Sequence, residues 1–107
     1  MTIEGTPFTI EDLRKLTATH SPLTYDNYTK AFALALAHVD EAGLPTGNIP
    51  RWFVVPPQLH MSGKRIESDP MIQGTIELMV VPALGNRAKR WYIVGPHAAV
   101  AMDGEAP

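Results

Sequence analysis

The sequence contains no cysteine, and this absence excludes several classes of protein at once. A disulfide framework, a thiolate metal site and cysteine catalysis all require thiols. The absence also fits a reducing compartment. No apolar run approaches the roughly 20 residues that span a bilayer. The first residues lack a basic segment followed by a hydrophobic one. We therefore expect no membrane partner, no signal peptide and no secretion.

The chain also lacks a charge excess of either sign, since its net charge is −2. A specific nucleic-acid partner is not expected, because such proteins usually carry a strong basic excess. With 45% apolar residues the composition is not that of a disordered chain. A length of 107 residues predicts one domain, residues 1–107. Within it we expect a lead-in over 1–22, a core over 23–102 and a frayed tail over 103–107.

The composition is rich in residues that interrupt helices and strands, with ten prolines and eight glycines. They predict short elements joined by many turns. Residues 9–12 form a capping box and predict a helix over 10–18. Thr24 is a second N-cap candidate and predicts a helix over 24–41. An apolar stripe supports that helix: Tyr28, Phe32, Ala35, Leu36 and Val39. Pro57 can begin a third helix, over 57–66.

Short β-prone runs predict three strands, over 51–55, 74–81 and 90–94, and a further strand over 97–102. The polar residues 84–90 are typical of a hairpin loop joining the second and third of these strands. The fold class is therefore predicted as α+β, with a small mixed or antiparallel sheet of three to four strands flanked by helices.

No motif in the sequence carries a recognisable catalytic or phosphate-binding pattern. The four histidines do not pair at helical spacing, and surface or helix-edge positions account for them: His20, His38, His60 and His97. Each carboxylate also has an ordinary structural explanation: Asp26, Asp40, Glu41, Glu67, Asp69 and Glu77. We predict no catalytic, cofactor-binding or metal-binding residue, no small-molecule substrate and no enzyme. An unrecognised catalytic site is the less favoured alternative.

Two basic clusters are the candidate functional residues. Arg87, Lys89 and Arg90 lie in the predicted hairpin loop, and Lys64 and Arg65 form a smaller cluster. Such clusters can make electrostatic contacts with a neighbouring subunit or a phosphate, and we name these five residues as candidate subunit contacts. The alternative is a solvated loop with no partner.

An ordered series of segments gives a resemblance over residues 23–95. The series runs Leu23-Thr-Tyr-Asp-Asn27, Asp40-Glu-Ala-Gly43, Phe53-Val-Val-Pro-Pro-Gln-Leu59, Asp69-Pro-Met-Ile-Gln-Gly74 and Trp91-Tyr-Ile-Val94. It resembles the major capsid (major head) proteins of tailed bacteriophages and prophages, especially the Mu-like head subunits. Asp69 stands where that family usually has asparagine before the proline.

The resemblance implies a Hong-Kong-97-like fold, and it covers the axial-domain region only. It implies a structural capsid-type protein, or a truncated module of one, that works by self-assembly and not by catalysis. The implied partners are copies of this chain, in a capsomer-like homo-oligomer, or other phage head proteins. The implied location is the virion or the cytoplasm of a bacterial host. The alternative function is a small standalone protein-binding module encoded by a phage or a bacterium.

Overall fold

The computed structural model describes Thr6, residues 8–82 and residues 89–104, and the fold is α+β. Three helices and five strands follow one another along the chain: α1 (Ile10–Arg14), β1 (Thr19–His20), α2 (Tyr25–Leu36), β2 (Trp52–Val55), α3 (His60–Glu67), β3 (Glu77–Val80), β4 (Arg90–Val94) and β5 (Ala99–Asp103). A 3₁₀ turn over Pro57–Leu59 leads into α3. The predicted fold class is confirmed.

The five strands form one mixed sheet in the order β1-β5-β4-β2-β3. Strand β2 pairs in parallel with β3, and β1 pairs in parallel with β5. The remaining pairs are antiparallel, and β4 and β5 form a hairpin. Helix α3 lies in the crossover between β2 and β3, as the connection between parallel neighbours requires.

The predicted hairpin between residues 74–81 and 90–94 is wrong, because β2 lies between β3 and β4. Residues 53–55 of β2 are buried, so this strand suits the interior of the sheet. Strand β3 is partly exposed at every position and occupies the edge. Part of the predicted loop, residues 83–88, lies outside the described residues.

Both predicted helix caps are present. The hydroxyl of Thr9 accepts a hydrogen bond from the Asp12 amide at 3.0 Å. In return the Thr9 amide donates to the Asp12 carboxylate at 2.9 Å, and this bond lowers the pKa of Asp12. The hydroxyl of Thr24 accepts from the Asn27 amide at 3.1 Å and begins α2. Helix α1 is nevertheless shorter than the predicted 10–18.

Helix α2 ends at Leu36 and not at residue 41, because a local loop replaces its last turn. The carboxylate of Asp40 accepts hydrogen bonds from the Ala42 and Leu44 amides, at 2.9 and 3.0 Å. This side chain therefore offers the backbone an alternative to the helix. Gly43 follows with φ of 80°, in the left-handed region that favours glycine.

The buried stripe of α2 is also displaced from the predicted one. Tyr28, Ala31 and Ala35 are buried, whereas Leu36 and Val39 are exposed. The buried positions follow the spacing i, i+3, i+7, which is as helical as the predicted series. Val39 lies beyond the end of α2, whereas Leu36 lies inside the helix on its exposed side.

Other boundaries shift by a few residues. The third helix spans His60–Glu67 after the 3₁₀ turn that starts at Pro57, close to the predicted 57–66. The strand predicted over 74–81 is confined to Glu77–Val80, since turns occupy residues 71–75. The strand predicted over 97–102 is present as Ala99–Asp103. The two-residue strand Thr19–His20 was not predicted.

Helices cover both faces of the sheet. On one face, α2 and α3 pack on an apolar cluster that includes Tyr28, Phe53, Ile66, Trp91 and Ile93. On the other, α1 packs on a second cluster that includes Ile10, Leu13, Val54, Tyr92 and Val94. Strands β2 and β4 contribute to both clusters, which explains why they read as continuous apolar runs.

Within the first cluster Tyr28 buries a polar atom. Its ring lies 5.1 Å from that of Phe53 between centroids, and among the described residues its hydroxyl has no hydrogen-bond partner. Burial raises the pKa of Tyr28 to about 12, with a smaller contribution from the nearby Tyr25. A buried hydroxyl without a partner costs about 1–3 kcal/mol.

We therefore expect Tyr28→Phe to raise the free energy of unfolding by about 1 kcal/mol at pH 7. Above pH 10 the unfolded state releases the tyrosine proton before the folded state does, so ionisation favours unfolding. The wild type should lose about 2 kcal/mol more than the variant between pH 9 and 12. Urea titrations of both proteins at several pH values measure this difference. Parallel pH profiles would contradict it.

Candidate functional site

Strand β3 leaves one edge of the sheet open. The amide of Glu77 donates to the Arg51 carbonyl, and the amide of Val81 donates to the Val55 carbonyl, each at 2.9 Å. Because backbone groups alternate along a strand, those of Leu78 and Val80 point away from β2. Beyond β3 no further strand lies within the part of the chain that the structure describes. Within the described residues, the outward-facing donors and acceptors of this edge have no strand partner.

The side chains of β3 do little to discourage pairing at this edge. Proteins commonly protect a free edge with lysine, proline or a bulge. The strand reads Glu-Leu-Met-Val, so it has neither lysine nor proline, and its register with β2 is continuous over four residue pairs. Val80 is 37% exposed and Leu78 is partly buried. The edge is apolar, with one charge at its first residue.

A polar stripe of α3 runs beside this edge. His60, Lys64 and Glu67 lie at i, i+4 and i+7, on one side of the helix. The ammonium of Lys64 lies 3.5 Å from the Glu67 carboxylate. The helix sits close to the sheet at Gly63, where an added Cβ would lie 3.1 Å from the Leu78 side chain. A glycine at this position permits the close approach.

Between the stripe and the edge lies an open groove of about 650 Å³. Its charged side chains are those of Arg51, Lys64 and Glu67. Glu77 also borders the groove, but it pairs with Trp52, so its side chain belongs to the opposite face of the sheet. The apolar side chains of Ile76, Leu78 and Val80 complete the lining. A groove beside a free strand edge can accept an extended polypeptide through backbone hydrogen bonds.

A second, smaller cleft lies between α2 and the turn that precedes β3. It has a volume of about 280 Å³ and is mostly apolar: Tyr25, Tyr28, Thr29, Phe32, Met71, Ile72 and Thr75. Met71 is 81% exposed at its rim. Among the described residues, no three histidine, aspartate or glutamate side chains gather closely enough to hold a metal ion. No helix there is long and apolar enough to cross a membrane.

The five predicted contact residues do not form one site. Lys64 lines the groove, while Arg65 and Lys89 are exposed and do not line it. Arg87 lies outside the described residues. Arg90 is only 7% exposed and is the first residue of β4, so it is not the exposed loop residue that was predicted.

Arg90 is buried because its side chain packs between the sheet and α1 and contacts backbone carbonyls of the α1 region. The guanidinium donates a hydrogen bond to the carbonyl of Leu16, and its Nη2 lies 3.5 Å from the carbonyl of Leu13. It also lies over the ring of Tyr92, 5.5 Å from the centroid. These contacts satisfy backbone groups at the end of a helix, which is a structural role.

Sequence reasoning missed most of the groove. In the sequence, His60, Glu67 and Glu77 each have an ordinary structural explanation, and no local pattern marks Arg51 as a site residue. The i, i+4, i+7 polar series of α3 and the half-exposed pattern of β3 were both visible in the sequence. The sequence does not reveal the order of the strands, and this order is what brings the residues of the groove together.

No protein-family model, curated protein or solved structure matches this chain. The capsid resemblance therefore stays a prediction.

Proposed function

We propose that this protein is a structural subunit that works by self-association and not by catalysis, as a capsid-type assembly protein or a module of one. Its place of action would be the virion or the host cytoplasm. The order of segments in residues 23–95 supports the capsid-type assignment. The site supports the mode of action, because its main feature is an open strand edge.

The observation that carries the proposal is the free edge of β3 beside the groove. Outward-facing backbone groups of Leu78 and Val80 are available to another strand. In the groove the Lys64 ammonium lies 3.5 Å from the Glu67 carboxylate, which leaves the single charge of Arg51, so two copies that meet there repel weakly. The net charge of −2 adds little repulsion between whole chains.

Sedimentation velocity over a wide concentration range, together with negative-stain microscopy, tests the proposal. We expect species larger than one chain that grow with concentration, and rings or shells if the contact is repeated around a symmetry axis. A single species with the mass of one chain at every concentration would contradict self-association.

Val80→Lys is expected to weaken self-association at least about tenfold, because a charged side chain on an edge strand opposes pairing. Leu34→Lys is the matched control, since it also replaces an exposed aliphatic side chain with lysine. Leu34 lies in α2, is 55% exposed and does not line the groove. Circular dichroism checks that both variants fold. Equal weakening by the two substitutions would locate the contact elsewhere.

A protein-binding module is the second candidate function, and the apolar cleft beside α2 favours it. Tyr25 and Met71 are exposed at this cleft. Methionine and aromatic side chains are common at surfaces that bind other proteins. This candidate predicts a chain that does not self-associate, so the sedimentation experiment separates the two.

A further inference from the structure

We propose that the partner of the β3 edge is the β3 edge of a second copy, antiparallel about a two-fold axis, with Met79 opposite Met79. This inference rests on the proposed function and specifies its contact. At the other end of the described sheet, β1 has only the two residues Thr19 and His20. Strand β3 is therefore the edge with enough backbone to form a ladder.

The backbone of β3 suits this register. Leu78 of one copy lies opposite Val80 of the other, and the two-fold repeats that pair. In an antiparallel ladder, the two residues at a hydrogen-bonded position donate one N–H···O bond to each other. Leu78 and Val80 are the residues whose groups point away from β2, so every bond uses a free donor and acceptor. The two five-stranded sheets then become continuous.

The side chains suit it as well. On the face covered by α3, the partly exposed Leu78 and Val80 meet across the axis and extend an apolar surface. Glu77 lies opposite Val81, so no carboxylates face each other within the ladder. On the opposite face Met79 of one copy contacts Met79 of the other. The flexible methionine side chain can adjust its rotamer to fill the space between them.

The groove on each copy leaves the edge accessible. Lys64 and Glu67 form an ion pair at 3.5 Å, so the groove beside the joined strands keeps only the charge of Arg51 among its described lining residues. A contact that uses the same surface on both copies closes on itself, whereas a contact between β3 and β1 would propagate as an open filament. The symmetric contact predicts a discrete dimer as the first species formed.

The absence of cysteine allows a direct test of the register. In Met79→Cys the new thiols lie at a non-hydrogen-bonded pair, where Cα atoms are about 4.5 Å apart, within the roughly 4.4–6.8 Å that a disulfide spans. Glu77→Cys is the matched control on the same strand and the same face. Its two copies would be offset by four residues, or about 13 Å.

Under mild oxidation we expect Met79→Cys to form the disulfide-linked dimer at least about tenfold faster than Glu77→Cys, because pairing holds its thiols together. Random collision would favour the opposite order, since Glu77 is the more exposed position. Sedimentation of the reduced variants checks that each still associates.

Failure of this inference differs from failure of the proposed function. If the wild type and both reduced variants self-associate but Met79→Cys links no faster than Glu77→Cys, the β3 register is overturned and self-association stands. If none of the three associates at any concentration, both the β3 register and the proposed function are overturned.

Discussion

Replacing Arg90 with methionine is expected to lower the free energy of unfolding by about 3–4 kcal/mol. The substitution keeps most of the apolar stem and removes the guanidinium. The carbonyl of Leu16 then loses its donor in a buried part of the protein, and the carbonyl of Leu13 loses a neighbouring one. An unsatisfied buried acceptor costs about 1–3 kcal/mol. Urea unfolding followed by circular dichroism measures the change.

The register of the sheet increases the expected loss. Arg90 lies directly opposite Asp103 in the β4–β5 ladder, and both residues are buried. Methionine removes the positive charge that lies across the ladder from this buried carboxylate. Arg90→Lys is the matched control, because it keeps the charge but lacks the fork of donors, and we expect it to lose about half as much. An unfolding midpoint equal to that of the wild type for Arg90→Met would contradict the structural role.

Asn48→Ala is expected to cost about 3 kcal/mol, because Asn48 is a fully buried polar residue whose amide is completely used. Its Nδ2 donates to the carbonyls of Ala35 and Ala98, at 2.9 and 3.3 Å. Its Oδ1 accepts from the amides of His97 and Ala98, each at 2.9 Å. The side chain therefore joins the end of α2 to the β4–β5 turn.

Asn48→Asp separates the two halves of this network. The carboxylate can still accept from the two amides but sets a negative oxygen against the two carbonyls. We expect it to destabilise at least as much as alanine at pH 7 and to recover in part as acid protonates the carboxyl group. Thermal unfolding of the three proteins at pH 7 and pH 4 provides the comparison. Equal stability of Asn48→Asp and the wild type would show that the donor half contributes nothing.

The same network explains a glycine that local pattern alone does not. A Cβ on Gly95 would lie 2.3 Å from Oδ1 of Asn48, well inside contact distance. Asn48 and Gly95 are 47 positions apart in the sequence. From the sequence Asn48 belongs to a turn-rich connector and Gly95 to a turn before Pro96, so each looks like an ordinary turn residue.

Local signals in this chain predicted elements but not their pairing. The Thr9 and Thr24 caps and the apolar run of β2 were readable, because each depends on residues within a few positions. The predicted hairpin between β3 and β4 is wrong, since nothing local in the sequence reveals that β2 pairs with both of these strands. The prediction for Arg90 is wrong for the same reason, because the carbonyls that it contacts lie in α1 and just after it, more than 70 positions earlier.

The candidate site depended on that missing information. Lys64 was singled out from sequence, and it lies in the groove. The edge itself was invisible, because a strand predicted to pair with its neighbour in a hairpin has no reason to be free. The half-exposed pattern of β3 fits a hairpin strand and an edge strand equally well. The strand order places β3 at the edge, where its outer side can contact another protein chain.

Residue-resolved amide hydrogen exchange at low and high protein concentration tests the central claim most directly. The amides of Glu77 and Val81 are bonded to β2, so they should be protected at both concentrations. The amides of Leu78 and Val80 face outward, so they should exchange freely in dilute solution and become protected as the protein associates. Rapid exchange of these two amides in a sample that sedimentation shows to be associated would contradict assembly through the β3 edge.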